Sequence, residues 1–194
     1  LITNIWRTGM YTALNEHIKR VRQILSKDLN ERDIIDQVVV STATLLKEPI
    51  SLGSDHLKTP AEGYGRNLLN QDPIFGFVVV AMVWPPKEGT PVHDHGTWGV
   101  VGVAEGGLSV TNYIRNDDGS QSGHASLAEL GTISARAGDA THVLPPDEDI
   151  HKVWNSTTKQ SISIHTYGKT IDLCNVFDVE ANSVKQFELH YINL

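Results

Sequence analysis

Apolar residues recur at intervals of three and four along the first fifty residues, which is the spacing of one helix face. Between residues 11 and 27 the apolar positions are Leu14, Ile18, Val21 and Leu25, with polar residues between them. This pattern predicts an amphipathic helix. It leaves His17 on the solvated face, where we assign it no function.

A second helix is predicted to begin after Asn30, because asparagine is a preferred N-cap residue. The β-branched run VVVST weakens the helical propensity of this segment. Pro49 predicts its end, because proline lacks the backbone N–H that a helix interior requires. The apolar stripe of this helix consists of Ile34, Ile35, Val38, Thr42, Leu45 and Leu46.

From about residue 60 the pattern changes to short β-rich runs separated by Gly, Pro and Asp, such as FGFVVVAMVW, LSVTNYIR and SISIHTYG. This punctuation predicts an antiparallel sandwich or barrel. Residues 115–126 predict a polar hairpin tip on which His124 is exposed and without function. We therefore expect a mainly β fold, with N-terminal helices in residues 1–50 packed on a barrel formed by residues 51–194 as a single structural unit.

The composition of this 194-residue chain narrows the possible functions. Apolar residues make up 40% of it, which is enough for one domain with a substantial core. The net charge of −7 and the scattered Lys and Arg residues disfavour nucleic-acid binding. No apolar run is long enough for a membrane span, and no signal peptide is recognisable. A single cysteine excludes an internal disulfide, and we expect a cytoplasmic location.

The segment PVHDHGTWG contains two histidines, His93 and His95, one residue apart. Residues i and i+2 of a strand point to the same face, so both imidazoles are expected to project together. Two histidines on one face in β-rich surroundings favour a metal site, and a third ligand is expected from elsewhere. The candidates in the β-rich region are His124, His142, His151 and His165.

Two motifs resemble those of the cupin family. GTPVHDH is similar to the first motif, and PDEDIHKVWN is similar to the second, with Asn155 four residues after His151. The resemblance implies a double-stranded β-helix, a jelly-roll barrel that holds a metal inside through His93, His95 and His151. His142 is the rival third ligand, and it lacks the trailing asparagine.

The sequence departs from most cupins at the fourth ligand. Those proteins carry a glutamate a few residues after the second histidine, but residues 96–99 read GTWG and Glu105 lies too late in the chain. The resemblance then implies three neutral imidazoles and three open positions in an octahedral shell. Such a centre can bind an anionic bidentate ligand together with O₂, and it also suits zinc with a bound water.

Further segments resemble the cysteine dioxygenases and related thiol dioxygenases. YGRNLL is similar to the segment whose arginine pairs with the substrate carboxylate, which implies that role for Arg66 and places Tyr64 beside it in substrate binding. SISIHTYG is similar to the segment that carries a Ser-His-Tyr relay, which implies catalytic roles for Ser163, His165 and Tyr167. From the residues alone, Arg66 also fits a surface ion pair, and His165 also fits a core position.

A second departure concerns a covalent cross-link. Animal cysteine dioxygenases carry a cysteine just beyond the histidine pair that joins the active-site tyrosine, and Gly99 stands there in this chain. The only cysteine is Cys174, in DLCNVFD, which we expect to be a buried structural thiol. No Cys-Tyr thioether is therefore expected. Trp98 and Trp154 are expected to line the cavity or the core.

The resemblance implies an enzyme with one iron(II) per chain and no organic cofactor, which adds both atoms of O₂ to the sulfur of a small thiol carboxylate. L-Cysteine is the expected substrate, because relatives that prefer 3-mercaptopropionate tend to carry Gln at the position of Arg66 and a second Arg near Val176. The alternatives are a 3-mercaptopropionate or mercaptosuccinate dioxygenase, a zinc isomerase, and a non-catalytic metal- or ligand-binding cupin. The expected partners are the thiol and O₂, with no nucleic acid and no membrane; the oligomeric state stays open.

Overall fold

The computed structural model describes residues 3–48 and 52–194, and for residues 3–11 it describes the backbone only. Two helices come first, α1 (Thr3–Leu25) and α2 (Glu31–Leu45). Asn30 caps α2 as predicted, since its side chain accepts a 2.9 Å hydrogen bond from the backbone N–H of Asp33. Pro49, the predicted end of this helix, lies outside the described residues. Among the described helices, none has the length and apolar character of a membrane span.

In the described part of the chain, a short 3-10 helix (Ser54–His56) leads to eleven strands. These are β1 (Gly65–Gln71), β2 (Val78–Trp84), β3 (Val92–His93), β4 (Gly99–Glu105), β5 (Gly107–Arg115), β6 (Leu127–Arg136), β7 (Ala140–Val143), β8 (Ile150–Trp154), β9 (Ser161–Tyr167), β10 (Leu173–Asp178) and β11 (Ser183–Glu188).

The strands form two antiparallel sheets that face each other. One sheet has the order β1-β2-β9-β4-β7, and the other has the order β11-β10-β3-β8-β5-β6. From β6 to β10 the chain passes from one sheet to the other at every strand, which is the path of a jelly-roll barrel. The prediction of a mainly β barrel that follows two helices is confirmed. The domain boundary at residues 50 and 51 stays a prediction.

The long apolar run of β2 is buried on both faces. Val79 and Ala81 belong to a cluster formed with the helices, whereas Val78, Val80 and Met82 belong to a cluster between the two sheets. Successive side chains of a strand point to opposite faces, so a sheet covered on both sides needs apolar residues at every position. The cluster between the sheets forms the interior in which the candidate site lies.

The expectation for His17 is wrong, because this side chain is only 2% exposed. Its Nδ1 lies 2.9 Å from Oγ of Ser41 on α2, and its Nε2 lies 2.9 Å from Oγ1 of Thr166 on β9. Burial lowers the pKa of His17 to about 4, so the imidazole is neutral near pH 7. Because α1 packs against both α2 and a sheet, its buried face is wider than the stripe of apolar residues.

Replacing His17 with alanine is expected to lower the free energy of unfolding by roughly 2 to 4 kcal/mol, because two buried hydroxyl groups lose their partner. Chemical denaturation followed by circular dichroism measures the change. The matched control is His190, whose side chain is 81% exposed. His190→Ala should stay within about 0.5 kcal/mol of the native value.

The stability difference between the native chain and His17→Ala should shrink as the pH falls from 6.5 to about 4. In this window the unfolded chain protonates its histidine at the ordinary pKa of 6.5, whereas the buried imidazole resists protonation until about pH 4. The native chain therefore loses stability as the pH falls through this range. His17→Ala has no histidine at this position and does not show that loss. A difference that stays constant or grows would contradict a neutral, buried imidazole.

Candidate metal centre

Two histidines of the second sheet and one from the loop after β3 converge in the barrel. His93 at the end of β3 lies opposite His151 of β8 in the antiparallel register, and His95 follows in the next loop. The centroids of the three rings lie 4.8 to 4.9 Å apart, and one ligand nitrogen from each ring lies within 4.8 Å of the others. Such a group can hold a metal ion with three imidazole ligands.

The position of His95 does not depend on a strand, in contrast to the expected i, i+2 alternation. Strand β3 ends at His93, and the carboxylate of Asp149 holds the segment beyond it. This carboxylate accepts a 2.8 Å hydrogen bond from Nδ1 of His95 and bonds of 3.1 Å from the backbone N–H groups of His95 and Gly96. Because Nδ1 of His95 carries the proton, its Nε2 is free to bind a metal.

Asp149 was missed by the sequence interpretation, although it stands two residues before His151 in the second motif. Burial opposes ionisation of its carboxyl, but the hydrogen bonds from His95 and Gly96 outweigh that effect and hold its pKa below the ordinary value. A carboxylate behind a ligand histidine fixes the ring and raises its basicity.

The other two imidazoles are held in the neutral form that metal binding requires. Burial, reinforced by the like charge of His95, lowers the pKa of His93 to about 3. Burial also lowers the pKa of His151 well below its ordinary value. Nδ1 of His93 donates to the carbonyl oxygen of Pro91 at 3.1 Å, so its Nε2 is free to bind a metal as well.

A chain of hydrogen bonds runs along the inner face of β9 in the opposite sheet. The indole N–H of Trp84 donates to Oγ of Ser163 at 2.8 Å, and this Oγ lies 2.7 Å from Nε2 of His165. Nδ1 of His165 lies 2.8 Å from the hydroxyl oxygen of Tyr167. Tyr167 is 2% exposed, and its ring stacks on that of His95 with centroids 5.6 Å apart. The chain therefore ends beside the histidine cluster.

Burial sets the ionisation state of this hydrogen-bonded chain. It lowers the pKa of His165 well below the ordinary value and raises that of Tyr167, so both groups are neutral near pH 7. Gly99 lies opposite Tyr167 in the β4–β9 register, and a Cβ at Gly99 would stand 2.6 Å from Cδ1 of the tyrosine ring. A glycine at this position gives the phenol the space that it occupies.

Arg66 on β1 is buried, with 6% of its surface exposed, which excludes the surface ion pair. Its Nη2 donates to the carbonyl oxygen of Ile171 at 3.2 Å, and its Nη1 has no hydrogen-bond partner among the described residues. The guanidinium stacks on the ring of Tyr191, 4.9 Å from the centroid. Tyr64 stacks on Trp84 with ring centroids 4.7 Å apart. A buried cation with a free donor can bind an anion.

The segment after β11 closes the barrel next to Arg66. The backbone N–H of Ile192 donates to the carbonyl oxygen of Arg66 at 2.8 Å. The side chain of Asn193 pairs with both backbone groups of Leu68, at 2.8 and 3.0 Å. These bonds place Tyr191 over the guanidinium. No motif in the sequence indicates this role of Tyr191.

Two histidines that were weighed as ligands lie outside the cluster. His142 bonds to Glu148 at 2.9 Å, and Nη2 of Arg32 donates to the same carboxylate at 2.7 Å. His124 is half-buried rather than exposed, because the chain there bridges to Ser183 of β11. Neither belongs to the group of histidines that can share a metal.

The contacts of Asn155, Cys174 and Trp98 indicate structural roles. Asn155 of the second motif donates from Nδ2 to the carbonyl oxygens of Trp84 and Lys159, at 2.9 and 2.7 Å, so it fixes the turn after β8. Cys174 is buried in the cluster between the sheets, and this burial raises its pKa to about 11. Trp98 packs in the cluster formed with the helices.

Comparisons with solved structures find distant likenesses in fold. The chain is similar to a Klebsiella pneumoniae protein with a double-stranded β-helix domain, at 16% identity and a TM-score of 0.44, over 61% of this chain and 82% of that chain. It is similar to TT1209 from Thermus thermophilus at 16% identity and a TM-score of 0.44, over 63% of this chain and 99% of that chain. It is also similar to oxalate oxidase in complex with glycolate at 17% identity and a TM-score of 0.45, over 61% and 56%.

A family model of cysteine dioxygenase type I matches residues 8–180. The match extends from α1 to just beyond β10 and includes all three clustered histidines. The chain belongs to the cysteine dioxygenase type I family.

Proposed function

We propose that this protein is an iron(II)-dependent thiol dioxygenase that converts a small thiol carboxylate to its sulfinate. Both atoms of O₂ are transferred to sulfur, RSH + O₂ → RSO₂H, so no further reductant is consumed. The observation that carries the proposal is a buried guanidinium with an unpaired N–H, in Arg66, in the same barrel as three clustered imidazoles.

The donor set fits iron. His93, His95 and His151 would hold the ion, and imidazole nitrogens suit both iron and zinc. Iron(II), when bound, supplies the open coordination positions and the redox chemistry for a reaction between a thiolate and O₂. Zinc has no redox chemistry, so a zinc-loaded chain is inactive in this reaction.

Tyr167 is proposed as the hydrogen-bond donor to the reacting groups. The N–H of Trp84 can only donate, so Ser163 accepts there and directs its own hydroxyl hydrogen to Nε2 of His165. His165 then carries its proton on Nδ1 and donates to the oxygen of Tyr167. This arrangement leaves the phenolic hydrogen free for dioxygen or for a polar group of the substrate. His165 and Ser163 act as positioning residues.

Arg66 is proposed to bind the substrate carboxylate, with Tyr64 as part of the adjoining wall. The unpaired Nη1 offers the charge-assisted hydrogen bond that a carboxylate accepts. Val176 lies opposite His93 in the β10–β3 register and supplies no second cation there. Cysteine, with its amine and sulfur directed to the metal, leaves its carboxylate for Arg66, so L-cysteine is the proposed substrate.

Metal analysis and oxygen consumption test the proposal together. Protein purified without added metal should contain iron, and the iron-loaded protein should consume O₂ with cysteine, 3-mercaptopropionate or mercaptosuccinate and release the sulfinate. Iron without turnover of any thiol would indicate a non-catalytic cupin. Zinc at full occupancy, with no activity after iron loading, would overturn the proposal.

His151→Ala is expected to abolish stoichiometric iron binding, because two imidazoles hold the ion weakly. His142→Ala is the matched control and should keep the iron, since His142 bonds to Glu148 outside the cluster. Elemental analysis of both purified variants gives the result. Loss of iron from His142→Ala alone would show that the ligand assignment is wrong.

Tyr167→Phe is expected to retain iron and to lose about a hundredfold in kcat, because one well-placed donor is removed from the site. Ser163→Ala should show a smaller decrease in kcat, because Ser163 acts through His165. Steady-state kinetics measure kcat, and elemental analysis shows whether each variant retains iron. Unchanged turnover in Tyr167→Phe would refute the proposed donor.

Arg66→Lys is expected to raise the KM for cysteine roughly tenfold, because lysine replaces a planar pair of donors by a point charge. The control is Arg20→Lys on the exposed face of α1, which should leave KM unchanged. A tenfold preference of the native protein for 3-mercaptopropionate over cysteine, in kcat/KM, would contradict the proposed substrate and leave the thiol dioxygenase proposal intact.

A further inference from the structure

A cavity of about 470 Å³ lies where β6 of one sheet faces β7 of the other. Its inner end is lined by His151 of the histidine cluster and by His165 of the relay. Its outer end lies beside Leu130 and Ile133, which are 62% and 49% exposed. The cavity therefore connects the protein surface with the candidate metal centre.

The walls between these ends are mainly apolar. Val101 and Val103 of β4 face Leu108 and Val110 of β5 across the interior, and Ala135 of β6 continues the lining outward. In the β5–β6 register Ala135 lies opposite Leu108, so it points to the inside of the barrel. Apolar walls favour an apolar gas such as xenon.

The charge at the outer end is acidic. Asp139, Asp147 and Glu148 line it, and the described lining residues include no lysine or arginine. Arg32 pairs with Glu148, which leaves two further carboxylates at this end. The carboxylate group of a thiol substrate is repelled there, whereas dioxygen carries no charge.

The anion-binding group lies at the opposite edge of the sheet. Arg66 belongs to β1, and the cavity is bordered by β7, with β2, β9 and β4 between them. Tyr191 covers the β1 edge, whereas the inner face of β6 is open to solvent. The barrel thus has a cationic edge and an apolar edge on either side of the histidines.

We propose that the cavity between β6 and β7 is an entry path for dioxygen, separate from the side on which the thiol carboxylate binds. The inference rests on the proposed dioxygenase function. Dioxygen is apolar and favours a passage with mainly apolar walls, which raises its concentration beside His151 and His165. The two edges thus separate the entry of dioxygen from the binding of the substrate carboxylate.

Xenon binding tests the cavity without turnover. Metal-free native protein should show a saturable change in the ¹²⁹Xe NMR shift, and dissolved O₂ should broaden the ring-proton signals of His151 and His165. Ala135→Phe, which narrows the passage, should weaken both effects. Leu173→Phe places the same side chain at an exposed position of β10 and should leave them unchanged. Absence of xenon binding or of broadening in the native protein would overturn the proposal.

Kinetics of the iron-loaded enzyme supply the second test. Ala135→Phe and Ile133→Trp should raise the KM for O₂ severalfold and leave the KM for the thiol unchanged. Ile133 is half exposed, so this variant tolerates a larger side chain if Ala135→Phe does not fold. A rise in the thiol KM with an unchanged KM for O₂ would identify the cavity as the thiol entrance instead. If no thiol is oxidised at all, the dioxygenase function fails, while the NMR measurements still decide whether the cavity conducts an apolar gas.

Discussion

Two carboxylates hold the short strand on which the candidate metal centre depends. Strand β3 has only two residues, too few for its backbone pairing to fix two ligands. Asp94 accepts hydrogen bonds from the backbone and side-chain nitrogens of Asn175, at 2.8 and 2.7 Å, and so attaches the segment to β10. Asp149 attaches the next residues to the start of β8 and orients His95. Without these bonds, only the pairing of a two-residue strand would hold His93 and the neighbouring His95 in place.

Local periodicity accounts for the parts of the structure that were predicted correctly. The β-rich run FGFVVVAMVW contains strand β2, and SISIHTYG contains β9, on which Ser163, His165 and Tyr167 alternate along one face. The asparagine cap of α2 is likewise a local property. In each case the residues that determine the outcome are neighbours in the sequence.

Contacts between distant segments account for the features of the structure that the sequence did not predict. His17 is 24 residues from Ser41 and 149 from Thr166, so no helical pattern reveals that it is buried between them. The surroundings of Arg66 depend on Tyr191, which reaches the guanidinium only because the last residues return along β1. His95 leaves the strand pattern because Asp149, 54 residues later, competes for its backbone. Burial and pairing of these groups follow from topology, which periodicity does not encode.

Strand β9 carries two unrelated polar networks on its two faces. Thr166 points outward to His17 and the helices, while His165 and Tyr167 point inward to the histidine cluster. A shift of one residue exchanges the faces of a strand. Any insertion or deletion within β9 therefore breaks the attachment of the helices and the relay in a single event. A change of chain length is tolerated far better in the polar hairpin between β5 and β6, where neither network passes.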